Sequence, residues 1–119
     1  MQKLLLIFIS LLCLNYNYAS SQDMKIKWED SDGREFSIKV ISREFGWSSI
    51  AGDKIRYNRA GWVKEIGPVY IKYNRGGWVK EVGSVYIKYN RAGWVKEVGN
   101  LYIKYNRAGQ VKETTGTVN

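Results

Sequence analysis

The sequence predicts an all-β fold, an antiparallel β-meander of 16-residue β-hairpin repeats forming a single curled sheet. Three observations carry that prediction. One phrase recurs four times at a fixed spacing, opening at Tyr57-Asn58-Arg59-Ala60-Gly61-Trp62, Tyr73-Asn74-Arg75-Gly76-Gly77-Trp78, Tyr89-Asn90-Arg91-Ala92-Gly93-Trp94 and Tyr105-Asn106-Arg107-Ala108-Gly109-Gln110. Such periodicity marks stacked units that cannot bury their apolar faces alone. Each unit alternates two short segments rich in β-branched and aromatic residues, such as Val69-Tyr70-Ile71-Lys72-Tyr73 and Trp78-Val79-Lys80-Glu81-Val82, and that is strand composition. Glycine-bearing breaks arrive every five or six residues, which excludes helices of useful length.

Residues 1–21 stand outside this architecture. Lys3 precedes an apolar run from Leu4 to Leu14 broken only by Ser10, and small residues follow at Ala19 and Ser21. The run is short of the roughly 20 residues a membrane span needs, and its layout is that of a secretory signal peptide. Cleavage is expected after Ser21, with Ala19 as the alternative. It removes Cys13, the only cysteine, and leaves no transmembrane segment. The exported chain, periplasmic or extracellular, then has neither thiol nor disulfide, and the sequence contains no histidine. Packing and backbone pairing must hold about 98 residues together.

Residues 22–52 read as a divergent start of the same array. Met24 to Glu29 and Arg34 to Ile41 form strands around an Asp30-Ser31-Asp32-Gly33 turn, and Phe45-Gly46-Trp47 echoes the glycine and tryptophan of a full unit. Residues 53–119 hold the four repeats. In the last, Gln110 replaces tryptophan and Thr114-Thr115-Gly116-Thr117 replaces the valine–glycine turn, as expected of a cap. The total is roughly ten strands.

Each repeat contains two turns. Asn74-Arg75-Gly76-Gly77 reads as a four-residue loop built around a type I turn. Gly67-Pro68, Gly83-Ser84 and Gly99-Asn100 read as two-residue hairpin turns. Proline cannot take positive φ at the second position, so type II′ with glycine first is expected. These loop lengths put Tyr73 opposite Trp78 and Val82 opposite Val85. One face then carries a continuous row of Tyr57, Trp62, Tyr73, Trp78, Tyr89, Trp94, Tyr105 and Gln110. Beside it run Lys64, Ile71, Lys80, Ile87, Lys96 and Ile103, then Ile66, Val69, Val82, Val85, Val98 and Leu101. The opposite face carries Tyr70, Glu81, Tyr86, Glu97, Tyr102 and Glu113 in one row, with Lys72, Val79, Lys88, Val95, Lys104 and Val111 in the other. A three-residue loop with a bulge would invert alternate strands.

The phrase Tyr-Asn-Arg-Ala-Gly followed by a strand and a further glycine resembles the tyrosine–aspartate (YD, or RHS) repeats of bacterial exported proteins, centred on Tyr-Asp-x-x-Gly-Arg. The matching positions are Tyr57, Tyr73, Tyr89 and Tyr105 with Gly61, Gly77, Gly93 and Gly109. Asparagine stands for the aspartate, tryptophan or glutamine for the arginine, and the period is shorter. The resemblance covers about half the chain. It implies hairpins wound into a curling sheet that encloses other segments, and no catalytic residues. Gly61-Trp62, Tyr70 and Tyr73 are also similar to the Gly-Trp…Tyr repeats of choline-type cell-wall-binding modules.

Chemistry is sparsely represented. The sequence holds 19 Lys and Arg against 11 Asp and Glu, a net charge of +8. Residues 22–52 are near neutral and the repeats carry the excess, which suits anionic partners or keeps a repetitive sheet soluble. Glu65, Glu81, Glu97 and Glu113 occupy equivalent positions, whereas acid–base catalysis needs groups in unlike environments. Without histidine, and without cysteine once the leader is removed, the usual general-base, thiol and zinc chemistries are missing. The Asp30–Gly33 segment lacks the further ligands of a calcium loop and reads as a turn. No enzyme activity and no cofactor are expected, and export argues against nucleic acid. Two functions remain. One is a structural or self-associating sheet whose aromatic face is buried by curling or by a second copy. The other is a binding module for a repeating polysaccharide or anionic cell-envelope polymer, with Tyr57, Trp62, Tyr73, Trp78, Tyr89, Trp94 and Tyr105 as the platform and Lys64, Lys80 and Lys96 beside it.

Overall fold

The computed structural model describes residues 23–119, so the expected signal peptide lies outside the described residues. Eleven strands follow one another: β1 (Lys25–Glu29), β2 (Glu35–Lys39), β3 (Phe45–Trp47), β4 (Ile55–Tyr57), β5 (Val63–Ile66), β6 (Val69–Tyr73), β7 (Val79–Val82), β8 (Val85–Tyr89), β9 (Val95–Val98), β10 (Leu101–Tyr105) and β11 (Val111–Thr115). Among the described residues there is no helix, and so none long and apolar enough to cross a membrane. The fold is all-β, as the repeats predict.

The strands form two sheets. β1, β2 and β3 pair in that order, and β4 to β11 make an eight-stranded meander with every strand beside its sequence neighbour. This corrects the expectation of one curled sheet. The physical reason is the apolar face of the repeats. Val63, Ile66, Ile71, Val79, Val82, Val85, Ile87, Val95, Val98 and Ile103 share that face, and an antiparallel sheet must cover such a face. In β1 and β2, period-two alternation gives Ile26, Trp28, Phe36 and Ile38 to one side, and Val40 follows. All five join the same core as the repeat residues. The opening segment is therefore a second layer laid over the repeats.

Polar contacts hold the layers in register. The Val95 amide donates to the Val40 carbonyl at 2.9 Å. Arg34, only 4 % exposed, donates through Nε and Nη2 to the two carboxylate oxygens of Asp53 at 2.8 and 2.7 Å. Its Nη1 donates to Asp30 and Asp32 at 3.1 and 2.9 Å. Both carboxylates of the Asp30–Gly33 turn thus bind a guanidinium. Hydrogen bonding from Arg34 holds the Asp53 carboxyl down at about 2. Asp53 thereby fixes the connection from β3 to β4, and its side chain lies against Gly67, where a Cβ would come within 2.4 Å of Asp53 Oδ1.

The two-residue turns follow expectation. Gly67, Gly83 and Gly99 have φ of 59°, 58° and 58°, and the residue after each stays at negative φ, the type II′ signature. Val82 lies opposite Val85, and Glu81 opposite Tyr86.

The Asn-x-x-Gly loops depart from expectation. Gly77 sits at φ 87°. Its amide donates to the Asn74 carbonyl at 3.0 Å, and the Asn74 amide donates to the Trp78 carbonyl at 2.8 Å. This is a type I turn closed by a left-handed glycine, a three-residue loop. Asn74 Oδ1 also accepts the Trp78 amide at 3.0 Å, and Asn58, Asn90 and Asn106 repeat the arrangement. A second irregularity follows, because Tyr73 pairs with Val79 while Lys72 pairs with Glu81, leaving Lys80 as an extra residue. The loop displaces the register by one residue and the bulge by one more. The two displacements cancel in parity, so Ile71 and Val82 remain on one face, now directly opposite each other.

Candidate functional site

The predicted aromatic row lies along the loop end of the sheet, but not in the predicted pairing. Tyr73 is opposite Val79 rather than Trp78. The aromatic contacts run from one unit to the next: Trp62 meets Tyr73 with centroids 5.1 Å apart, and Trp94 meets Tyr105 at 5.2 Å. Each of these tryptophans also covers the loop glycine of the next unit. A Cβ on Gly77 would lie 2.8 Å from Trp62 Cη2, and one on Gly109 would lie 2.7 Å from Trp94 Cη2. Tyr57 and Trp62 are exposed, whereas Tyr73, Trp78, Tyr89, Trp94 and Tyr105 are half-buried.

Lys64, Lys80 and Lys96 do not flank Ile71, Ile87 and Ile103 as expected. They sit at the bulges and are exposed, while Val79 and Val95, expected on the opposite face, are buried in the core, as is the equivalent Val63. The extra residue lets each valine turn inward and its lysine outward. No carboxylate lies within ion-pair distance of these three lysines among the described residues.

The bulge also explains the tyrosines. Between β7 and β8 the ladder is only two pairs long, which leaves the Val79 carbonyl beyond it. The Tyr89 hydroxyl donates to that carbonyl at 2.5 Å. Tyr73 does the same for Val63 at 2.7 Å, and Tyr105 for Val95. The phenols therefore close the backbone where the sheet splays. Burial pushes the Tyr89 and Tyr105 hydroxyls up to about 12, opposed at Tyr89 by the Arg43 charge and reinforced at Tyr105 by Asp23. Tyr73 is raised by burial as well.

A stability consequence follows from these shifts. The folded value lies above the ordinary phenol value of about 10, so the folded state favours the protonated form. That contribution is complete below about pH 10 and is lost as pH rises through about 12. The urea midpoint should fall over this window, and the Tyr89→Phe/Tyr105→Phe double variant should show a shallower fall. Identical slopes for the two proteins would contradict the assignment.

Arg43 breaks the pattern at the central unit, and nothing in the sequence announces it. Its guanidinium carbon lies 3.9 Å from the centroid of the Trp78 ring. A Cβ on Gly93 would meet Arg43 Nη1 at 2.7 Å, so Arg43 covers the glycine that Trp78 would otherwise cover. Its buried Nε has no hydrogen-bond partner among the described residues, and its backbone is left-handed at φ 64°. Strain of that kind costs about 1–3 kcal/mol, offset in part by a cation–π contact of about 0.5–2 kcal/mol.

The outer face carries the most regular chemistry. Strand alternation sends Tyr70 and Lys72 to the side opposite Ile71, and the other repeats do likewise. Tyr70, Tyr86 and Tyr102 are 58 %, 58 % and 48 % exposed. Each lies opposite a glutamate: Glu65, Glu81 or Glu97. Each glutamate pairs on its other side with a cation, at 3.3 Å for Arg56–Glu65, 3.4 Å for Lys72–Glu81 and 3.5 Å for Lys88–Glu97. The result is three cation–glutamate–tyrosine rows, one for each of the first three repeats. A depression of about 410 Å³ opens beside Tyr70, Lys72 and Glu81, and one of about 610 Å³ beside Tyr86, Lys88, Glu97 and Tyr102. The sequence had placed the tyrosines and glutamates together correctly, but had set the lysines in a separate row.

Comparison with protein-family models, with curated proteins and with solved structures returns no match.

Proposed function

We propose that this chain is an exported, non-enzymatic β-repeat binding module that closes its own core and leaves its outer face for a repeating partner. The observation that carries this reading is the line of exposed tyrosines at equivalent positions, Tyr70, Tyr86 and Tyr102. Their neighbours on the inner face are already covered by β1–β3, so the apolar surface of the repeats does not need a second copy. The absence of histidine from the sequence and the like surroundings of Glu65, Glu81 and Glu97 support a non-catalytic role. The Tyr-Asn-Arg-Ala-Gly phrase supports kinship with YD-type repeats, and the basic amino end supports export. Retention on immobilised extracellular and envelope polysaccharides, neutral and acidic, tests the reading. Elution in the void with every polymer would refute it.

A self-associating sheet is the second reading, favoured by the open eight-stranded sheet. Its edges are β4 and β11, and open edges invite strand addition. Light scattering over a concentration series distinguishes the two. Mass that grows by whole chains supports association, whereas a constant monomer mass removes it.

A further inference from the structure

Resting on the binding-module reading, we propose that the outer face takes an extended, neutral β-linked glycan, with sugar rings stacked on Tyr70, Tyr86 and Tyr102. The first argument is pitch. These tyrosines lie on β6, β8 and β10, two strands apart, and strand spacing of about 4.8 Å places successive rings about 10 Å apart. That step is close to the rise of one disaccharide in an extended β-linked chain, so every second sugar meets an equivalent ring. A helically coiled α-linked glycan does not hold that step.

The second argument is charge. Despite the net charge of +8, the cations beside the tyrosines are neutralised, because Arg56, Lys72 and Lys88 are each paired with a glutamate. Lys64, Lys80 and Lys96, which form no ion pair among the described residues, turn outward at the bulges, toward the loop end of the strands. A polyanion would have to displace the glutamates or bring its charge beside them. Hydroxyl groups can instead donate to a glutamate oxygen and accept from the adjoining ammonium group, leaving the ion pair intact.

The third argument is shape. The depressions beside Tyr70 and Tyr86 share a tyrosine, a lysine, a glutamate and the glycine of a two-residue turn, and the second is bordered in addition by Tyr102, Val118 and Asn119. A set of side chains repeated in a line matches a ligand of repeated units.

The test is calorimetric titration of the protein with cello- and chito-oligosaccharides of two to eight sugars. Malto-oligosaccharides and polygalacturonate serve as comparators. Affinity should rise with length until the ligand spans three tyrosines and then level off, with little binding to the comparators. Tyr86→Ala should weaken binding roughly tenfold, equivalent to about 1.4 kcal/mol, with an unchanged far-ultraviolet spectrum. The Lys64→Gln/Lys80→Gln/Lys96→Gln variant should bind as the parent does. Tyr102→Ala should weaken binding as well, and it carries the test if Tyr86→Ala misfolds. Binding that survives both substitutions, equal binding of malto-oligosaccharides, or a preference for polygalacturonate would overturn this assignment while leaving the binding-module reading in place. Failure of the cello- and chito-oligosaccharides would overturn it too, and failure with every polymer would remove both.

Discussion

Phe36→Ala should lower the stability of the whole chain by about 3–5 kcal/mol, the range for deleting a buried aromatic ring. Phe36 is 2 % exposed and lies between Trp28 and Phe45, with centroids 5.8 and 6.4 Å away. Its neighbours are held by strand pairing on both sides, so the cavity cannot collapse easily. The core residues of β1 and β2 belong to the same cluster as those of the repeats. The loss should therefore appear in one unfolding transition that includes the repeat tryptophans. Urea denaturation followed by tryptophan emission reads the midpoint. A loss below about 1 kcal/mol, or a separate early transition, would show that the two layers unfold independently.

Removing the second layer altogether should have a larger effect. A chain reduced to residues 54–119 keeps the repeats but uncovers the face formed by Val63, Ile66, Ile71, Val79, Val82, Val85, Ile87, Val95, Val98 and Ile103, all buried in the intact protein. A contiguous apolar face of this kind does not stay in water as a monomer. Arg34, Asp53 and Arg43 are all lost with the segment, which leaves Trp78 uncovered. The expected result is loss of cooperative unfolding, with assemblies in place of monomer by light scattering. A monomer with a sharp transition near that of the parent would show that the repeats need no cover.

Much of this fold was legible because its signals are local. Alternation within Val69–Tyr73, and proline after glycine at Gly67-Pro68, specify strands and a II′ turn without reference to anything distant. The aromatic contacts from unit to unit were legible for the same reason. The bulge at Val79-Lys80 was not. Asn74-Arg75-Gly76-Gly77 is compatible with a loop of either three or four residues, and only the buried valine decides between them. The even-numbered loop keeps most apolar residues together but sends Val79 and Val95 to the wrong side. The second layer was hidden because β1 and β2 alternate as the repeats do, so their local pattern does not say whether they extend a sheet or cover one. Arg34 had a faint signal in the acidic cluster of Asp30, Asp32 and Asp53 around it. Arg43 had none, since its role depends on meeting Trp78 and Gly93 across the fold.

The intrusion of Arg43 has a consequence for how such an array can grow. Contacts between units run head to tail, since Trp62 and Trp94 each reach the next tyrosine and the next glycine, and the hydroxyls of Tyr73, Tyr89 and Tyr105 reach back. Duplicating one 16-residue unit in the gene would therefore create no new kind of junction. The covering layer has no such freedom. It has three strands, and Arg43 fits at one junction, between Trp78 and Gly93. An extra unit inserted beyond that junction would push apolar side chains past the end of the cover. Copy number in descendants of this gene is thus limited by the piece that does not repeat.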